Sequence, residues 1–280
     1  MKIALSAEDT VDLTPEYLTK WGIHTCHFHV EKGGEQFRGD QITNEECWEY
    51  TNQTGNLCHT SAVNIDECAK HFAELKKTYD KIIHITISSG ISSGYPNAVA
   101  AANGDPDIYV VDSRFTSGKI AMLLLYAKEL IAQGKSFEEI CKAVEERKAH
   151  TEGSFLIDTL FFLYKGGRCS KLAAFGANVL KLHPVILADD EGKFTTGKKY
   201  RGKYHKCMID YIKDLLKDYP NIDKKMCFFN YASATPELLK DVEKTAKDFG
   251  FEQVYLFKAS PINSYHSGPN AAGFMFFYDI

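Results

Sequence analysis

The stretch KIIHITISSGISSG, from Lys81 to Gly94, decides the fold of this chain. Its first half is rich in β-branched residues and is typical of a buried strand. Gly90 and Gly94 allow the backbone to turn tightly after that strand, so the serine hydroxyls lie at its carboxyl end. Ligands of open α/β sheets bind at this edge. The stretch therefore predicts a ligand-binding turn in an α/β fold.

The same turn also fits the G-x-S-x-G nucleophile elbow of α/β-hydrolases, in the expected strand-to-helix context. Ser92, a later acid such as Asp158 or Asp189, and His266 keep the chain order Ser, Asp, His. No HGGG-type oxyanion loop precedes the turn, and a match of three fixed residues is common by chance. Hydrolysis by Ser92 and His266 and simple ligand binding are therefore the two competing functions.

The first half of the chain alternates strand and helix patterns around this turn. The alternation predicts a parallel sheet with helices on both faces. Thr14-Pro15 and pairs such as Thr43 with Glu46 are typical helix starts. The predicted strands are Lys2 to Leu5, Ile23 to Val30, the strand in the Lys81 to Gly94 stretch, and Asp107 to Val111. One predicted helix starts at Pro15, and the others cover Thr43 to Tyr50, Asn64 to Lys77 and Thr116 to Gln133.

In the second half, two strand patterns follow each other without a helix between them. This order predicts a hairpin and a smaller α/β domain of the α+β type. We place the boundary near His150 to Gly153, giving domains of residues 1–152 and 153–280. The predicted elements are strands Pro184 to Ala188 and Lys193 to Tyr200, a helix from Gly202 to Leu216, strand Met226 to Phe229, a helix capped by Thr235-Pro236, and strands Gln253 to Lys258 and Gly273 to Tyr278.

Composition excludes several classes of protein. The 280 residues are 44% hydrophobic and carry a net charge of -4, with no basic cluster interleaved with aromatic residues, so nucleic acid is not an expected partner. The apolar run at the N-terminus is too short for a signal peptide, and no later run approaches a membrane span. We therefore expect a cytoplasmic protein.

Cysteine and histidine spacing predicts neither disulfides nor a metal site. The eight cysteines contain no C-x-x-C pair, so we expect reduced and mostly buried thiols. His24, Cys26, His27 and His29 lie close in sequence, but strand alternation places only two of them on either face. Phosphate-binding glycine motifs are also missing, which disfavours a nucleotide cofactor.

Four polar clusters fall in predicted loops, namely Cys58 to Ser61, Ser88 to Gly94, Tyr164 to Arg168, and Tyr265 to Pro269. Each has an ordinary structural explanation. The hydroxyls of Thr60 and Ser61 could simply cap the next helix. Lys165 with Arg168 could be solvated or grip an anion, and His266 could be exposed, hold a carboxylate or act as a base.

Taken in order, these clusters resemble the DegV family of bacterial fatty-acid-binding proteins across essentially the whole chain. Six blocks carry the resemblance: Thr60-Ser61, ISSGISSGY at Ile87 to Tyr95, VDS at Val111 to Ser113, LYKGGR at Leu163 to Arg168, HPVIL at His183 to Leu187, and HSGPNAAG at His266 to Gly273.

The resemblance implies a Rossmann-like N-terminal domain, a smaller second domain and one long-chain fatty acid buried between them, with no catalytic nucleophile. Thr60 and Ser92 would hydrogen-bond the fatty-acid carboxylate, with Ser61 and Ser93 beside them and His266 completing the anion site. In part of the family the loaded protein presents its fatty acid to a separate kinase for phospholipid synthesis. Two arginines match basic positions suited to an anionic group or a partner surface, Arg168 and Arg201.

The acyl tail of about a dozen or more methylenes would dominate affinity, because each buried CH2 contributes about 0.8 kcal/mol. For each candidate tail-lining residue, ordinary core packing is an equally good explanation. The candidates are Phe155, Leu156, Leu160, Phe161, Phe162, Leu172, Phe175, Leu180, Leu182, Phe274 and Phe276.

The chain departs from the family pattern at three places. Ser93-Gly94 replaces glycine and threonine, Ala62-Val63-Asn64 replaces a Q-P-S run, and Ala7-Glu8-Asp9 replaces T-D-S. These changes put the head-group specificity in question and leave another small anion or lipid open as the ligand.

Overall fold

The computed structural model describes residues 1–169 and 182–279. Its strands form three sheets. The strands are β1 (Ile3–Glu8), β2 (Ile23–Cys26), β3 (His29–Lys32), β4 (Glu35–Arg38), β5 (His59–Ser61), β6 (Lys81–Thr86), β7 (Ile108–Asp112), β8 (Thr151–Leu156), β9 (Leu182–Ala188), β10 (Phe194–Arg201), β11 (Ile222–Tyr231), β12 (Gln253–Lys258) and β13 (Ala272–Tyr278).

The helices flank these sheets, and most begin at a recognisable capping residue. Thr14, Thr43, Asn64, Ser136 and Thr235 each accept a backbone N–H bond at a helix start. The helices are α1 (Pro15–Trp21), α2 (Asn44–Thr54), α3 (Ile65–Leu75), α4 (Gly94–Ala102), α5 (Gly118–Ala132), α6 (Phe137–Ala149), α7 (Phe161–Lys165), α8 (Tyr204–Asp218), α9 (Pro236–Phe249) and α10 (Pro261–Ser267).

The N-terminal sheet has the order β2-β1-β6-β7, and every pair in it is parallel. β6 comes from the Lys81 to Gly94 stretch, and its residues from Ile82 to Thr86 are all buried. A strand covered on both faces must be apolar throughout, which explains the β-branched run. The α/β fold class predicted from this stretch is confirmed.

A small antiparallel sheet with the order β4-β3-β5 was not expected from the sequence. The predicted single strand from Ile23 to Val30 is wrong, because the chain leaves the N-terminal sheet after Cys26 and starts β3 at His29. Gly33 and Gly34, both with positive φ, form the two-residue turn that joins β3 to β4. A Gly-Gly turn is a recognised hairpin signal, and it places β5 beside β3.

The C-terminal sheet has the order β10-β9-β8-β13-β11-β12 and is mostly antiparallel. The predicted hairpin is present, since β9 and β10 pair across the turn after Ala188. α5 packs against strands of both large sheets. The proposed division into residues 1–152 and 153–280 stays a prediction.

All eight cysteines are buried, in line with the expectation of mostly buried thiols. Within residues 1–169 and 182–279, no helix combines the length and the apolar character that crossing a membrane requires.

Candidate functional site

A cavity of about 340 Å³ lies between the N-terminal and C-terminal sheets. One side of it, the head-group end, carries the side chains of Thr60, Ser61, Ser92, Ser93, Arg168 and His266. Much of the rest of the described lining is buried, and we use the name inner end for five of these residues, each less than 10% exposed: Phe115, Phe155, Phe194, Asn230 and Met275. An apolar chamber with a few polar groups at one side is the usual form of a small-molecule site.

A hydrogen bond between Thr60 and His266 defines the head-group end. Thr60 lies on β5 and His266 on α10, and Thr60 Oγ1 is 2.6 Å from His266 Nε2. α10 starts at Pro261 and brings the imidazole back towards β5. Two residues that are 206 positions apart in sequence therefore meet at one point of the cavity.

The imidazole of His266 is neutral in the folded protein. Burial, and secondarily the positive charge of Arg168, lower its pKa to about 3. His266 Nδ1 has no hydrogen-bond partner among the described residues. An unpaired acceptor is tolerated more often than an unpaired N–H donor, so we assign the proton to Nε2, which then donates to Thr60 Oγ1. Thr60 then keeps its own hydroxyl proton for a ligand oxygen.

Arg168 provides the positive charge at this end. Its side chain is half-buried, and Nη1 donates to the Gly166 carbonyl at 2.6 Å. Burial lowers the pKa of Arg168 from its usual value, but a guanidinium stays charged in proteins. Gly166 also permits the close approach of His266, since a Cβ atom there would lie 3.0 Å from Nδ1. A carboxylate at Thr60 would thus have a cation nearby.

The loop after β6 supplies the serines. Ser92 Oγ accepts a hydrogen bond from the Gly94 amide at 3.2 Å, which fixes the hydroxyl at the start of α4. Ser88 Oγ donates to the Gly192 carbonyl, so the loop is tied to the turn between β9 and β10. Ser92 is half-buried and Ser93 is exposed. Both hydroxyls remain able to donate a proton to a ligand.

Glu8 supports this loop from the end of β1. Its Oε2 accepts a hydrogen bond from the Ile87 amide at 2.8 Å, and a Cβ atom at Gly94 would collide with its Oε1. Burial is the main cause that raises the pKa of Glu8 to about 8. Near pH 7 the Glu8 carboxyl is therefore largely protonated. Glu8, at which the chain departs from the family pattern, is therefore a neutral side chain that packs against Gly94.

A second, polar cavity of about 670 Å³ adjoins the head-group end. It shares Thr60, Arg168 and His266 with the first cavity and adds the exposed Lys165 and His59. The head-group end can therefore be reached from outside through a polar opening. Among the described residues, no group of three or more His, Cys, Asp or Glu side chains is placed to hold a metal ion.

Comparison with known proteins decides the family. A family model described as "Uncharacterised protein, DegV family" matches residues 2–279. The chain belongs to the DegV family. The family resemblance predicted from the six sequence blocks is confirmed.

Several DegV relatives are described by their ligands. The chain is similar to the fatty acid-binding protein of Thermotoga maritima, with 26% identity over 281 residues, covering 98% of this chain and 97% of that protein. A DegV family protein of Thermus thermophilus, solved in a study of fatty acid binding, matches with a TM-score of 0.89 at 24% identity over 100% of both chains. The fatty acid kinase B3 protein of Streptococcus pneumoniae, loaded with linoleic acid, matches with a TM-score of 0.85 at 19% identity, also over 100% of both chains.

The DegV sequence blocks locate most of the predicted head-group residues at one place. Thr60, Ser61, Ser92, Ser93, Arg168 and His266 all line the cavity. Arg201 does not, because it is exposed at the end of β10. His266 was expected in a loop but lies on α10, since Ser260-Pro261 starts a short helix before it. Contact of these residues with a ligand stays a prediction.

The predicted tail-lining residues of this DegV protein divide into two groups. Phe155 lines the cavity. Phe274 and Phe276 instead pack in the core beneath α8 and α9, because alternation along β13 turns Gly273 and Met275 to the cavity. Leu160 is only packed beside the core and Phe161 is 40% exposed. Leu156 also belongs to the core beneath α8 and α9. Phe162 and Leu182 do not line the cavity. The other three candidates, Leu172, Phe175 and Leu180, lie outside the described residues.

The hydrolase alternative requires contacts that this DegV structure does not contain. Among the described residues, His266 bonds Thr60 and no hydrogen bond joins it to Ser92. Asp158 lies 3.2 Å from His183 instead, and Asp189 accepts backbone bonds within the turn after β9. A nucleophile, base and orienting acid must be within hydrogen-bonding reach of one another. The three proposed residues are not.

Sequence reasoning missed several cavity residues. Asp12 lines the cavity and is fully bonded, because it accepts from Ser260, Asn263 and Ser117. Asn230 follows directly after the predicted Met226 to Phe229 strand and therefore resembled the end of a strand. One feature of the sequence could have identified Asn230 as a cavity residue. It is polar at a position where the alternation of the strand predicts an inward-facing apolar side chain.

Proposed function

We propose that this protein binds one long-chain fatty acid without catalysing a reaction on it. The carboxylate is held at the head-group end by Thr60, Ser92 and their neighbours, and the acyl tail extends to the inner end. The observation that carries this proposal is the Thr60–His266 pair at the polar side of a largely apolar cavity. The fatty acids bound by DegV relatives support the same ligand class.

The chemistry of the head-group end suits a carboxylate. Thr60 donates through a hydroxyl that His266 orients, and Arg168, which forms no ion pair with the described residues, adds positive charge. Hydrogen bonds to a charged group contribute about 1.5 to 3 kcal/mol each. The tail contributes about 0.8 kcal/mol for each buried methylene, so it provides most of the affinity.

The inner end supplies a rigid apolar wall for that tail. Phe115, Phe155 and Phe194 pack edge to face, with ring centroids 5.2 to 6.2 Å apart. A preformed wall of aromatic rings keeps the cavity open without ordering side chains on binding, which lowers the entropic cost of association.

The polar opening beside the head-group end supports a second part of the proposal. A carboxylate bound at Thr60 would face Lys165 and Arg168 at that opening, where a partner enzyme could reach it. The similarity to the fatty acid kinase B3 protein supports a fatty-acid kinase as that partner. Such a role would place the protein in the cytoplasm.

Native mass spectrometry of the purified protein tests the proposal. We expect a mass increase that equals one fatty acid, lost on denaturation and restored by adding palmitate or oleate. Protein that carries no lipid and takes up neither acid would contradict it. A fluorophosphonate probe provides the complementary test, since an adduct on Ser92 would require the hydrolase alternative instead.

A further inference from the structure

Towards the carboxyl end of β11, the side chains on one face are apolar until Asn230, and Ala232 directly after the strand is apolar again. Alternation turns Met226, Phe228, Asn230 and Ala232 towards the N-terminal half, and Phe228 and Ala232 belong to the apolar core there. Asn230 is only 5% exposed and lines the inner end of the cavity. An amide thus replaces the hydrocarbon side chain that this position would otherwise carry.

Neither polar atom of the Asn230 side chain has a hydrogen-bond partner among the described residues. The backbone makes room for this amide, because a Cβ atom at Gly118 would lie 2.5 Å from Asn230 Oδ1. The other carboxyl or amide groups on the cavity wall are satisfied: Asp12 accepts three hydrogen bonds, and Asn263 bonds Thr10, Asp12 and Thr116. Among the described residues of the cavity wall, Asn230 is therefore the carboxamide without a partner, and His266 Nδ1 is a second unpaired atom at the head-group end.

An unpaired buried amide costs about 1 to 3 kcal/mol, and an unsubstituted acyl chain would leave it unpaired. A group on the ligand that offers both a donor and an acceptor would satisfy both atoms. A hydroxyl does this, since it donates to Oδ1 and accepts from Nδ2. A ketone can only accept, so it would leave Oδ1 without a donor.

We propose that the preferred acyl ligand carries a hydroxyl group along its chain, and that the Asn230 amide at the inner end of the cavity binds that hydroxyl. This inference rests on the proposed fatty-acid binding and specifies the ligand class of the protein as hydroxylated fatty acids. The carboxylate remains at the head-group end, so a single position of the hydroxyl along the chain fits best.

Binding of stearate and of a series of hydroxystearate positional isomers to the full-length, delipidated protein tests the inference. We expect one isomer to bind about tenfold more tightly than stearate, and the matching ketostearate to gain less. Equal or weaker binding of every isomer relative to stearate would overturn the inference while leaving fatty-acid binding intact. Failure of stearate and all isomers to bind would instead overturn the proposed function.

Two variants locate the effect. Asn230→Leu should remove the preference for the hydroxylated isomer by weakening its binding and tightening that of stearate, whereas Met275→Leu, in the same wall, should change both ligands alike. A preference that survives in Asn230→Leu would contradict the role of Asn230. Because the ligand preference is measured first on the unmodified protein, the test holds even where Asn230→Leu fails to fold.

Discussion

The two ends of the cavity are built in different ways. The head-group end takes its side chains from short polar segments at β5, the loop after β6, the residues after α7 and α10, and several of these side chains are half-buried or exposed. The inner end takes its side chains from the loop before α5 and from strands of the C-terminal sheet, all of them buried. The polar side chains thus come from short elements and loops, whereas the apolar lining comes mainly from strands of the C-terminal sheet.

This difference separates what each end controls. In the proposed binding mode, hydroxyl and imidazole groups at the head-group end would determine which charged group of a ligand binds. The buried walls at the inner end would determine the length and the substitution of its tail. Changes at the two ends should therefore give different signatures with ligands that share one part and differ in the other.

The largest expected effect concerns the support of the serine loop. The pKa of Glu8 is raised in the fold to about 8, so its carboxyl stays protonated where the unfolded chain ionises. The stability that it contributes is complete below its ordinary pKa and is lost as the pH rises through about 8. From about pH 5 to about pH 9, the free energy of unfolding should fall by about 4 kcal/mol more in the natural protein than in Glu8→Gln. Urea unfolding across this range measures the difference.

A control keeps this test specific. Glu74 is exposed, and Glu74→Gln should leave the pH dependence of the natural protein unchanged. Parallel stability curves for the natural protein and Glu8→Gln would contradict the assignment of a protonated carboxyl beneath Gly94.

Filling the inner end should give the next largest effect. Met275 is buried and lines the cavity, and a tryptophan there that displaces about four methylenes would cost about 3 kcal/mol, or roughly 200-fold in stearate affinity. Octanoate should lose far less, because its tail is shorter. Fluorescence competition with both acids measures the ratio.

The matched control is Ala100→Trp, on an exposed position of α4. It should leave both affinities unchanged. Equal losses for octanoate and stearate in Met275→Trp would show that the tail does not reach the inner end.

Removal of the hydroxyl at the head-group end should have a smaller effect with the opposite ligand signature. Thr60→Val keeps the shape but leaves His266 Nε2 unpaired, so we expect about 2 kcal/mol, or roughly 30-fold, weaker binding of palmitate. Hexadecanol lacks the carboxylate and should lose much less. Isothermal titration of both ligands gives the comparison.

Thr78→Val, at an exposed position after α3, serves as the control and should bind both ligands normally. If Thr60→Val weakened palmitate and hexadecanol by the same factor, Thr60 would be a packing residue and not a carboxylate donor.

The sequence predicted the two ends to different degrees. At the head-group end, Thr60, Ser92 and His266 belong to ordered motifs, and the family resemblance assigned them to one site before the fold joined them. At the inner end, Met275 and Asn230 lie in strands whose alternation is visible, but the sequence does not state which face meets the other sheet. Phe274 was therefore assigned to the wrong face.

The small β4-β3-β5 sheet was missed for a local reason. The EKGGEQFR run contains a Gly-Gly hairpin turn, but the strands on either side of it are short and polar. Because they lack an apolar pattern, they were not predicted as strands. This sheet pairs Thr60 with Val30, in a position where Thr60 forms its hydrogen bond with His266 on α10. The position of Thr60, the proposed carboxylate donor, thus depended on an element that the periodicity did not predict.

Photo-crosslinking with a fatty acid that carries a diazirine at its tail end tests the central claim most directly. With the carboxylate at Thr60 and the tail at the inner end, mass spectrometry of the digested adduct should find the label on β8 or β13, near Phe155 or Met275. Labelling concentrated on β5 or α10, around Thr60 and His266, would place the tail at the head-group end and contradict the account.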